Sequence, residues 1–189
     1  MNFTVKDFSG KDEDEILLIS DNEFGKNFID NNYLKKFLNS GNAKGIVALV
    51  ENEVIGFSFF QWLLPEEIPN YILASNVWLK KKFKGIPLLG YRNLMAVKAE
   101  FQNRGVGKKL VEVSTNELKK RTNVISSVVW KNNNSVPIEK LLTSQGFLPV
   151  KYCRNYWKED SKRRNYSCIV CGIPPCTCSA EIYLLNMDK

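Results

Sequence analysis

The strongest signal in the sequence lies at residues 97 to 108, which read Val97-Lys98-Ala99-Glu100-Phe101-Gln102-Asn103-Arg104-Gly105-Val106-Gly107-Lys108. It joins a strand-like segment, residues 94–97, to residues 105–120, whose apolar side chains have helical spacing. The start of a helix exposes unpaired amide protons and carries partial positive charge, so it attracts an anion. The two glycines leave the main chain open to that anion, while Arg104 and Lys108 add charge nearby. We therefore predict a turn that binds a pyrophosphate.

The same glycines occur in other kinds of turn. A nucleotide-triphosphate loop requires Lys-Ser or Lys-Thr after the second glycine, and no such pair follows Gly107. A dinucleotide-binding fingerprint requires a third glycine, where this chain has Leu110. An ordinary glycine-containing turn between a strand and a helix is the remaining alternative, and the motif alone leaves it open.

Upstream of the turn, the pattern predicts helices followed by a hairpin. Residues 13–38 carry apolar side chains at roughly helical spacing, which indicates two helices separated near residues 22–25. Two β-rich runs, 45–50 and 54–60, flank a polar corner and predict an antiparallel hairpin. Prolines and a glycine interrupt residues 64–90, so we assign this interval to loops with a short helix.

Downstream of the turn, the pattern predicts a further helix between strands. Ser135 is expected to cap this helix, Pro137 fits its first turn, and Gly146 ends it. Nothing in the chain repeats, and 44% of the residues are hydrophobic, so residues 1–189 are expected to form a single domain. The predicted elements are a strand at 124–130, a helix at 135–145 and two closing strands at 147–156 and 180–185.

The turn and its approach resemble those of the GNAT superfamily of N-acetyltransferases. Gln102, Gly105 and Gly107 match its signature, which is Gln or Arg, two variable residues, Gly, one variable residue, and Gly or Ala. The approach at residues 97–100 resembles the Val-x-Pro-Glu lead-in of the family, with Ala99 in place of proline. The order of these motifs carries more weight than any one of them.

The resemblance covers roughly residues 45 to 156, since residues 132–135 and 145–147 are similar to the segments that flank coenzyme A in the family. It implies an α/β (α+β) fold with a mixed, mostly antiparallel central sheet that is flanked by helices and whose two central strands splay apart. It also implies an acetyltransferase. This enzyme would move an acetyl group from acetyl-CoA to an amine of a small-molecule or peptide acceptor, by direct attack in a ternary complex.

The resemblance further implies where acetyl-CoA would bind. Strand main chain would hold the pantetheine arm, the glycine turn would hold the phosphates, and an asparagine after the next strand would lie beside the arm. The residues implied by position are Met95, Ala96, Val97, Gln102, Asn103, Arg104, Gly105, Val106, Gly107, Lys108 and Asn132 or Asn134.

The catalytic groups are less evident than the cofactor site. Acetyl transfer needs a neutral amine, a donor for the developing oxyanion, by analogy the amide near Val97, and an acid for the departing thiolate. The usual acid of the family is a tyrosine five residues before the phenylalanine, but that position holds Leu142. Tyr152 and Tyr156 are the candidate acids instead, with a packing role as the favoured alternative. The chain has no histidine and no evident general base, so orientation and a water relay would have to suffice.

Four of the five cysteines fall within eleven residues, at Cys168, Cys171, Cys176 and Cys178. Cys-x-x-Cys-Gly has the spacing of a metal knuckle, and the second pair would complete a four-thiolate zinc site with a structural role. The cysteine-rich loop, residues 166–179, would lie between the last two strands. A loop of free thiols is the less favoured alternative, and Cys153 is expected to be a free thiol.

Charge and hydrophobicity leave a second hypothesis open. The formal net charge is +7, and the basic excess at residues 80–84 and 151–164 is typical of solvated surfaces. We find no leader and no apolar run of membrane-spanning length, so we expect a cytoplasmic protein without a membrane partner. The second hypothesis is a non-catalytic module that binds acyl-CoA or, less favoured, nucleic acid through the zinc knuckle and the basic stretch. No motif identifies the acceptor or the oligomeric state.

Overall fold

The computed structural model describes residues 1–131 and 138–188 of the chain. No helix within these residues has the length and apolar character that crossing a bilayer requires. The strands are β1 (Thr4–Asp7), β2 (Ala43–Val50), β3 (Glu53–Leu63), β4 (Leu89–Val97), β5 (Val124–Lys131), β6 (Leu148–Cys153) and β7 (Ser179–Asn186). The α-helices are α1 (Glu13–Glu23), α2 (Asn31–Leu38), α3 (Ile68–Tyr71), α4 (Asn76–Lys82), α5 (Val106–Lys119), α6 (Glu139–Ser144) and α7 (Lys158–Arg164).

The seven strands form one sheet in the order β1-β2-β3-β4-β5-β7-β6. Neighbouring strands run antiparallel except β4 and β5, which are parallel. This confirms the predicted mixed, mostly antiparallel sheet flanked by helices. The predicted hairpin at 45–60 is also confirmed as β2 and β3, which turn through Glu51 and Asn52 with φ angles of 49° and 74°. Positive φ at both corner residues suits the twist of an antiparallel hairpin.

The central strands β4 and β5 separate along their length. They pair only from Gly90 to Arg92 of β4, although β4 continues to Val97 and β5 to Lys131. On its other side, β4 stays paired to β3 as far as Val97. Within the residues that the structure describes, the edge of β4 that faces β5 is therefore open at residues 93–97. This opening, which we call the fork, confirms the predicted splay.

The helices cover the two faces of the sheet, and β3 contributes to both. On one face, α1 and α2 pack against side chains that include Phe57 and Phe59. On the other face, α5 and α6 pack against side chains that include Ile55 and Trp62. The helices α3 and α4 extend the first face beside Tyr91 of β4. A strand buried on both faces needs apolar residues at nearly every position, which explains the apolar run of β3.

The interval at residues 64–90 contains two helices, α3 and α4, where the sequence predicted one. α4 begins after Ser75, whose hydroxyl accepts a hydrogen bond from the Trp78 amide at 3.4 Å. Three lysines occupy its last turn, and Leu79 is its only fully buried residue within the described chain. A helix with so little apolar periodicity gives a weak sequence signal.

Two predicted boundaries differ from the structure, and a third lies outside the described residues. β4 begins at Leu89 rather than at residue 94. The strand predicted at 147–156 ends at Cys153, so Tyr156 lies beyond β6 rather than on it. The helix predicted at 135–145 is described only from residue 139, and its predicted cap Ser135 and first-turn Pro137 lie outside the described residues.

Asp12 anchors the start of α1. Its carboxylate accepts hydrogen bonds from Lys6 Nζ at 2.8 Å and from the amide and hydroxyl of Ser9 at 2.9 Å. Burial works to raise the pKa of Asp12, but the hydrogen bonds from Lys6 and Ser9 outweigh it and lower the pKa below its usual value. The ionised carboxylate therefore stabilises the folded chain.

Replacing Asp12 by Asn is expected to lower the free energy of unfolding at neutral pH by about 1 kcal/mol, because the charge-assisted bonds are lost. The folded-state pKa lies below the unfolded value of about 3.9, so this stabilisation is present above that pH and disappears as the pH falls through the folded-state pKa. Urea unfolding of both proteins at about pH 7 and about pH 3 measures the effect. An equal difference at both pH values would contradict this account.

Candidate active site

The turn that leads into α5 is shaped by its backbone. A 3-10 turn, Ala99–Phe101, follows β4, so the strand does not enter the helix directly. Asn103 and Gly105 then adopt positive φ angles of 58° and 88°, and Gly105 caps the helix in the left-handed conformation. Glycine adopts that conformation without steric cost, which explains why Gly105 is needed here.

The amides at the start of α5 are available to a ligand. The Lys109 amide makes the first hydrogen bond of the helix, to the Gly105 carbonyl at 3.0 Å. Among the described residues, no hydrogen bond uses the amides of Gly107 or Lys108. Free amides and the positive end of the helix dipole together make an anion site.

Gln102 ties this turn to its surroundings. Its side-chain amide donates to the Val97 carbonyl and to Glu23 Oε2, both at 2.9 Å. One side chain thus connects the turn to the end of β4 and to the end of α1. Burial raises the pKa of Glu23, although the hydrogen bond from Gln102 opposes this effect.

Gly107 faces a narrow space between β4 and α6. A Cβ atom at this position would lie 3.5 Å from Leu141 Cδ1 and 3.9 Å from both Met95 Cε and Val97 Cγ2. One methyl group would therefore fit, but a longer side chain would fill the space next to the free amides.

The remaining turn residues fall into two groups. Arg104 and Lys108 are exposed, and the Arg104 guanidinium lies 5.9 Å from the centre of the Phe101 ring. Val106 is buried in the core under α5, so only its main chain is close to the surface of the turn.

Strand alternation determines which main-chain groups face the fork. The Lys98 amide donates to the Ile55 carbonyl of β3 at 2.9 Å. Main-chain groups two residues apart point to the same side of a strand, so those of Ala96 also point to β3. Those of Met95 and Val97 point to the open edge. Of the three strand residues predicted to contact the cofactor, two thus have their main chain at the fork, and Ala96 does not.

A β-bulge lies where the fork opens. The pairing of β4 with β3 shifts by one residue between Arg92 and Leu94, which makes Asn93 the extra residue. The side-chain amide of Asn93 donates to the Tyr33 hydroxyl of α2 at 2.9 Å. Bulges redirect side chains, and this one directs Asn93 towards the α1 and α2 face.

Four tyrosines from four different segments lie around this side of the fork. The Tyr91 hydroxyl donates to the Tyr71 carbonyl at 3.2 Å, and their rings are 5.9 Å apart. The Tyr156 hydroxyl accepts a hydrogen bond from the Leu73 amide at 2.8 Å. Burial raises the pKa of Tyr33, Tyr91 and Tyr156, so all three phenols are neutral at neutral pH. The cluster offers neutral hydroxyl groups on the face opposite α5.

Comparison with known proteins identifies the fold. No family model and no curated protein matches the sequence. Arabidopsis thaliana NAA60 in complex with acetyl-CoA superimposes with a TM-score of 0.73 at 16% identity, over 100% of both chains. The chain has the fold of the GNAT acetyltransferases.

Two further solved structures have the GNAT fold and similar coverage. The ribosomal-protein-S18-alanine N-acetyltransferase of Escherichia coli has a TM-score of 0.66 at 17% identity, covering 98% of this chain and 94% of its own. An N-acetyltransferase of Staphylococcus aureus Mu50 has a TM-score of 0.68 at 14% identity, covering 99% of each chain.

The residues predicted to flank the thioester occupy different places in this GNAT fold. Leu142, at the position where the family often has a tyrosine, is fully buried beneath α6. Tyr152 is 56% exposed on the edge strand β6, separated from β4 by β5 and β7. Its hydroxyl donates to Ser179 Oγ at 2.8 Å. The structure therefore does not bring Tyr152 together with Tyr156, and Asn132 and Asn134 lie outside the described residues.

Arg92 is a buried cation at the base of the fork that the sequence analysis did not select. It is 4% exposed and faces α5, where its guanidinium lies 3.5 Å from Thr115 Oγ1 and 3.7 Å from Met95 Sδ. No described residue accepts a hydrogen bond from its Nε. Burial lowers the pKa of Arg92 to about 10, so it remains charged at neutral pH. The sequence gives no sign that a tyrosine or an arginine within a strand has a functional role, because the bulge and the fork become visible only in the structure.

The four clustered thiols between β6 and β7 converge on one point. The Sγ–Sγ distances are 3.8 Å for Cys168–Cys178, 3.5 Å for Cys171–Cys178 and 3.9 Å for Cys176–Cys171. All four sulfur atoms lie within 4.8 Å of one another. A tetrahedral zinc site with bonds of about 2.3 Å places its sulfur atoms about 3.8 Å apart. The observed spacing fits four thiolates around one zinc ion.

Main-chain groups support the first pair of thiols. Two hydrogen bonds of 2.8 Å connect Cys168 and Gly172 and close the knuckle. The amides of Val170 and Thr177 lie 3.5 Å from Cys168 Sγ and 3.4 Å from Cys171 Sγ. Burial works to raise the pKa of Cys171, but hydrogen bonds from Thr177 outweigh it and lower the pKa to about 7. These contacts stabilise sulfur in the thiolate form that a metal requires.

Proposed function

We propose that the protein transfers an acetyl group from acetyl-CoA to a primary amine by direct attack in a ternary complex. The observation that carries the proposal is the fork, which opens immediately before a turn whose Gly107 and Lys108 amides are free. The open strand edge leads directly to the anion site. Together they can hold the two parts of one long ligand, the pantetheine arm and the pyrophosphate.

The cofactor half of the site follows from these groups. The pyrophosphate binds the amides at the start of α5, and Arg104 and Lys108 add positive charge. The pantetheine arm then runs along the open edge of β4, where the main chain of Met95 and Val97 supplies hydrogen bonds. The buried charge of Arg92 adds positive potential at the base of the fork.

The acceptor half lies on the opposite face, between Asn93 and the tyrosines. An acceptor amine that enters there meets the thioester carbon at the fork, and an amide of the open strand edge stabilises the oxyanion. The amine must be neutral to attack. A peptide α-amine with a pKa of about 8 is partly neutral near neutral pH, which suits a site without a strong general base.

Tyr156 is the better of the two candidate acids. Its hydroxyl oxygen accepts from the Leu73 amide, which leaves its own proton free to be donated to the departing thiolate. The proton of Tyr152 is directed to Ser179 instead. The pKa of Tyr156 is raised by burial, so the phenol carries its proton throughout the neutral range.

Two other functions find less support. The leucine at 142 keeps a non-catalytic acyl-CoA module as an alternative. A nucleic-acid module would rely on the basic helix α7, but its charges are partly neutralised within the helix. The ion pairs are Lys162–Glu159 at 3.2 Å, Arg163–Asp160 at 2.8 Å and Arg164–Asp160 at 3.2 Å.

Gly107→Leu is expected to weaken CoA binding by about tenfold or more, which corresponds to about 1.4 kcal/mol. The added side chain fills the space beside Met95, Val97 and Leu141, whereas Gly107→Ala adds one methyl that fits. Calorimetric titration with CoA measures both variants, and thermal unfolding confirms that α5 is intact. Equal CoA affinity in the leucine variant and the parent chain would contradict the proposed cofactor site.

Acetyl transfer itself is tested with acetyl-CoA and a panel of peptides with free N-termini and small primary amines. Mass spectrometry is expected to detect acetylated product for at least one class. Tyr156→Phe should lower kcat about 100-fold with little change in CoA affinity, since loss of a general acid typically costs this much. The same substitution at Tyr152 decides between the two candidates. Tight CoA binding with no product from any amine would favour the non-catalytic module.

We further propose that the four clustered thiols hold one structural zinc ion. Their spacing and the amide-to-sulfur contacts support it. Burial raises the pKa of Cys176, and it raises the pKa of Cys178 to about 11, so without metal these two thiols carry protons at neutral pH. Zinc must displace these protons when it binds.

Zinc affinity is therefore expected to fall as the pH is lowered, because protons compete for the sulfur atoms. Elemental analysis after dialysis should find one zinc per chain, and competition with a chromophoric chelator at two pH values gives the affinity. Cys171→Ser should lose the metal, and Cys153→Ser, outside the cluster, should keep it. Zinc-free protein with four freely titrating thiols would contradict this proposal.

A further inference from the structure

The segment between β6 and β7, residues 154–178, reaches across the molecule to the loop between α1 and α2. We call it the cysteine strap. It contains α7 and all four clustered thiols. The loop that it reaches, residues 24–30, precedes the helix that carries Tyr33. The strap therefore connects the thiol cluster to the acceptor side of the fork.

Main-chain contacts fix the strap to this loop. The Ser167 amide donates to the Lys26 carbonyl at 3.0 Å, and the Lys26 amide donates to Ser167 Oγ at 2.9 Å. The Ile169 amide donates to the Phe24 carbonyl at 3.1 Å. A Cβ atom on Gly25, whose φ is +121°, would lie 2.2 Å from the Ser167 carbonyl oxygen. The close approach requires glycine at this position.

Side chains add a second contact beside the first. The Tyr166 and Phe28 rings meet edge to face at 4.9 Å, and the Arg164 guanidinium lies 5.1 Å from the centre of the Tyr166 ring and 5.6 Å from that of Phe28. Arg164 also donates to the Phe28 carbonyl. Phe28 lies in the loop that leads into α2, the helix that carries Tyr33, so Arg164 is fixed beside the entry to that helix.

The thiol cluster controls the residues that make these contacts. Cys168 lies between Ser167 and Ile169, which bind the loop. At the other end of the strap, the Tyr156 amide donates to the Cys178 carbonyl at 3.0 Å. A metal at the four sulfur atoms would thus fix both the docked segment and the main chain of the proposed acid Tyr156.

The tip of the strap is not held by apolar burial, although Tyr166 nearby is buried against Phe28. Ile169, Val170 and Ile173 at its tip are 50%, 44% and 83% exposed. The apolar contacts of the cluster come mainly from Trp130 and Trp157. A short loop with exposed apolar side chains needs a cross-link to keep one conformation, and four thiolates on zinc supply it.

The cofactor turn and the strap both reach the end of α1, where Gln102 donates to Glu23 Oε2 and the Ile169 amide donates to the Phe24 carbonyl. Among the described residues, no hydrogen bond joins residues 154–178 to residues 97–108. The turn precedes α5 on the opposite face of the sheet.

We propose that zinc binding at the four thiols holds the cysteine strap as a wall of the acceptor site, so that the metal is required for acceptor binding but not for CoA binding. This inference rests on the proposed acetyl transfer. Under this proposal the thiol cluster determines the affinity for the acceptor, in addition to stabilising the loop that contains it.

Hydrogen exchange on the full-length protein, zinc-loaded and stripped with a chelator, tests the docking directly. Stripping should remove protection from the amides of Lys26, Ser167 and Ile169, while calorimetry finds the CoA affinity unchanged. Acceptor KM, measured with the amine that gives product, should rise about tenfold or more, since small displacements of a positioning wall have large effects. Restoring zinc should reverse each change.

Two variants separate docking from metal binding. Gly25→Ala should keep one zinc and full CoA affinity but raise acceptor KM, because its methyl group collides with Ser167. Cys153→Ser, a thiol outside the cluster, should change neither zinc content nor acceptor KM.

The outcomes distinguish this inference from the proposed function. Unchanged protection at Lys26 and unchanged acceptor KM after stripping would overturn the inference, as would loss of CoA affinity after stripping. Zinc-loaded protein that never binds CoA would refute the proposed function instead. The exchange data would then still show whether zinc holds the strap.

Discussion

The fork between β4 and β5 determines the geometry of both halves of the candidate site. Parallel strands that stayed paired would use the main-chain groups of Met95 and Val97 within the sheet. Because pairing stops at Arg92, the amides of Met95 and Val97 remain open to a ligand, while the Val97 carbonyl accepts from Gln102, and the chain then enters α5 with free amides. The bulge at Asn93 accompanies the parting and turns a polar side chain to the other face. One interruption of the sheet thus creates both halves of the candidate site.

The parts of the site that could be predicted from the sequence are those formed by residues close together in the chain. The glycine turn could be predicted because its residues are contiguous and a helix start binds anions for a general reason. The hairpin β2–β3 and the thiol cluster could also be predicted, since the strand pattern of apolar residues and the spacing of cysteines are short-range signals. The register of Asn93 and the meeting of Tyr33, Tyr91 and Tyr156 depend on tertiary pairing. No window of sequence contains that information.

Two tyrosines show why position in the fold was hard to predict from sequence. Tyr156 was expected on a strand, but the strand ends at Cys153, and the tyrosine instead binds the Leu73 amide from the following turn. Tyr152 lies on that strand, yet the sheet order puts β5 and β7 between it and β4. Tyr152 and Tyr156 both lie close to Phe147 in sequence, so the sequence analysis gave them the same role. Their surroundings in the structure are different.

We propose that the amides at the start of α5 and the open edge of β4 hold one CoA molecule. Residue-resolved amide exchange on the zinc-loaded protein, with and without acetyl-CoA, measures this binding at the residues concerned. Acetyl-CoA is expected to slow exchange at Gly107 and Lys108 together with an amide of the open edge, at Met95 or Val97. Exchange at these positions that acetyl-CoA leaves unchanged, at concentrations well above those of the protein, would contradict it.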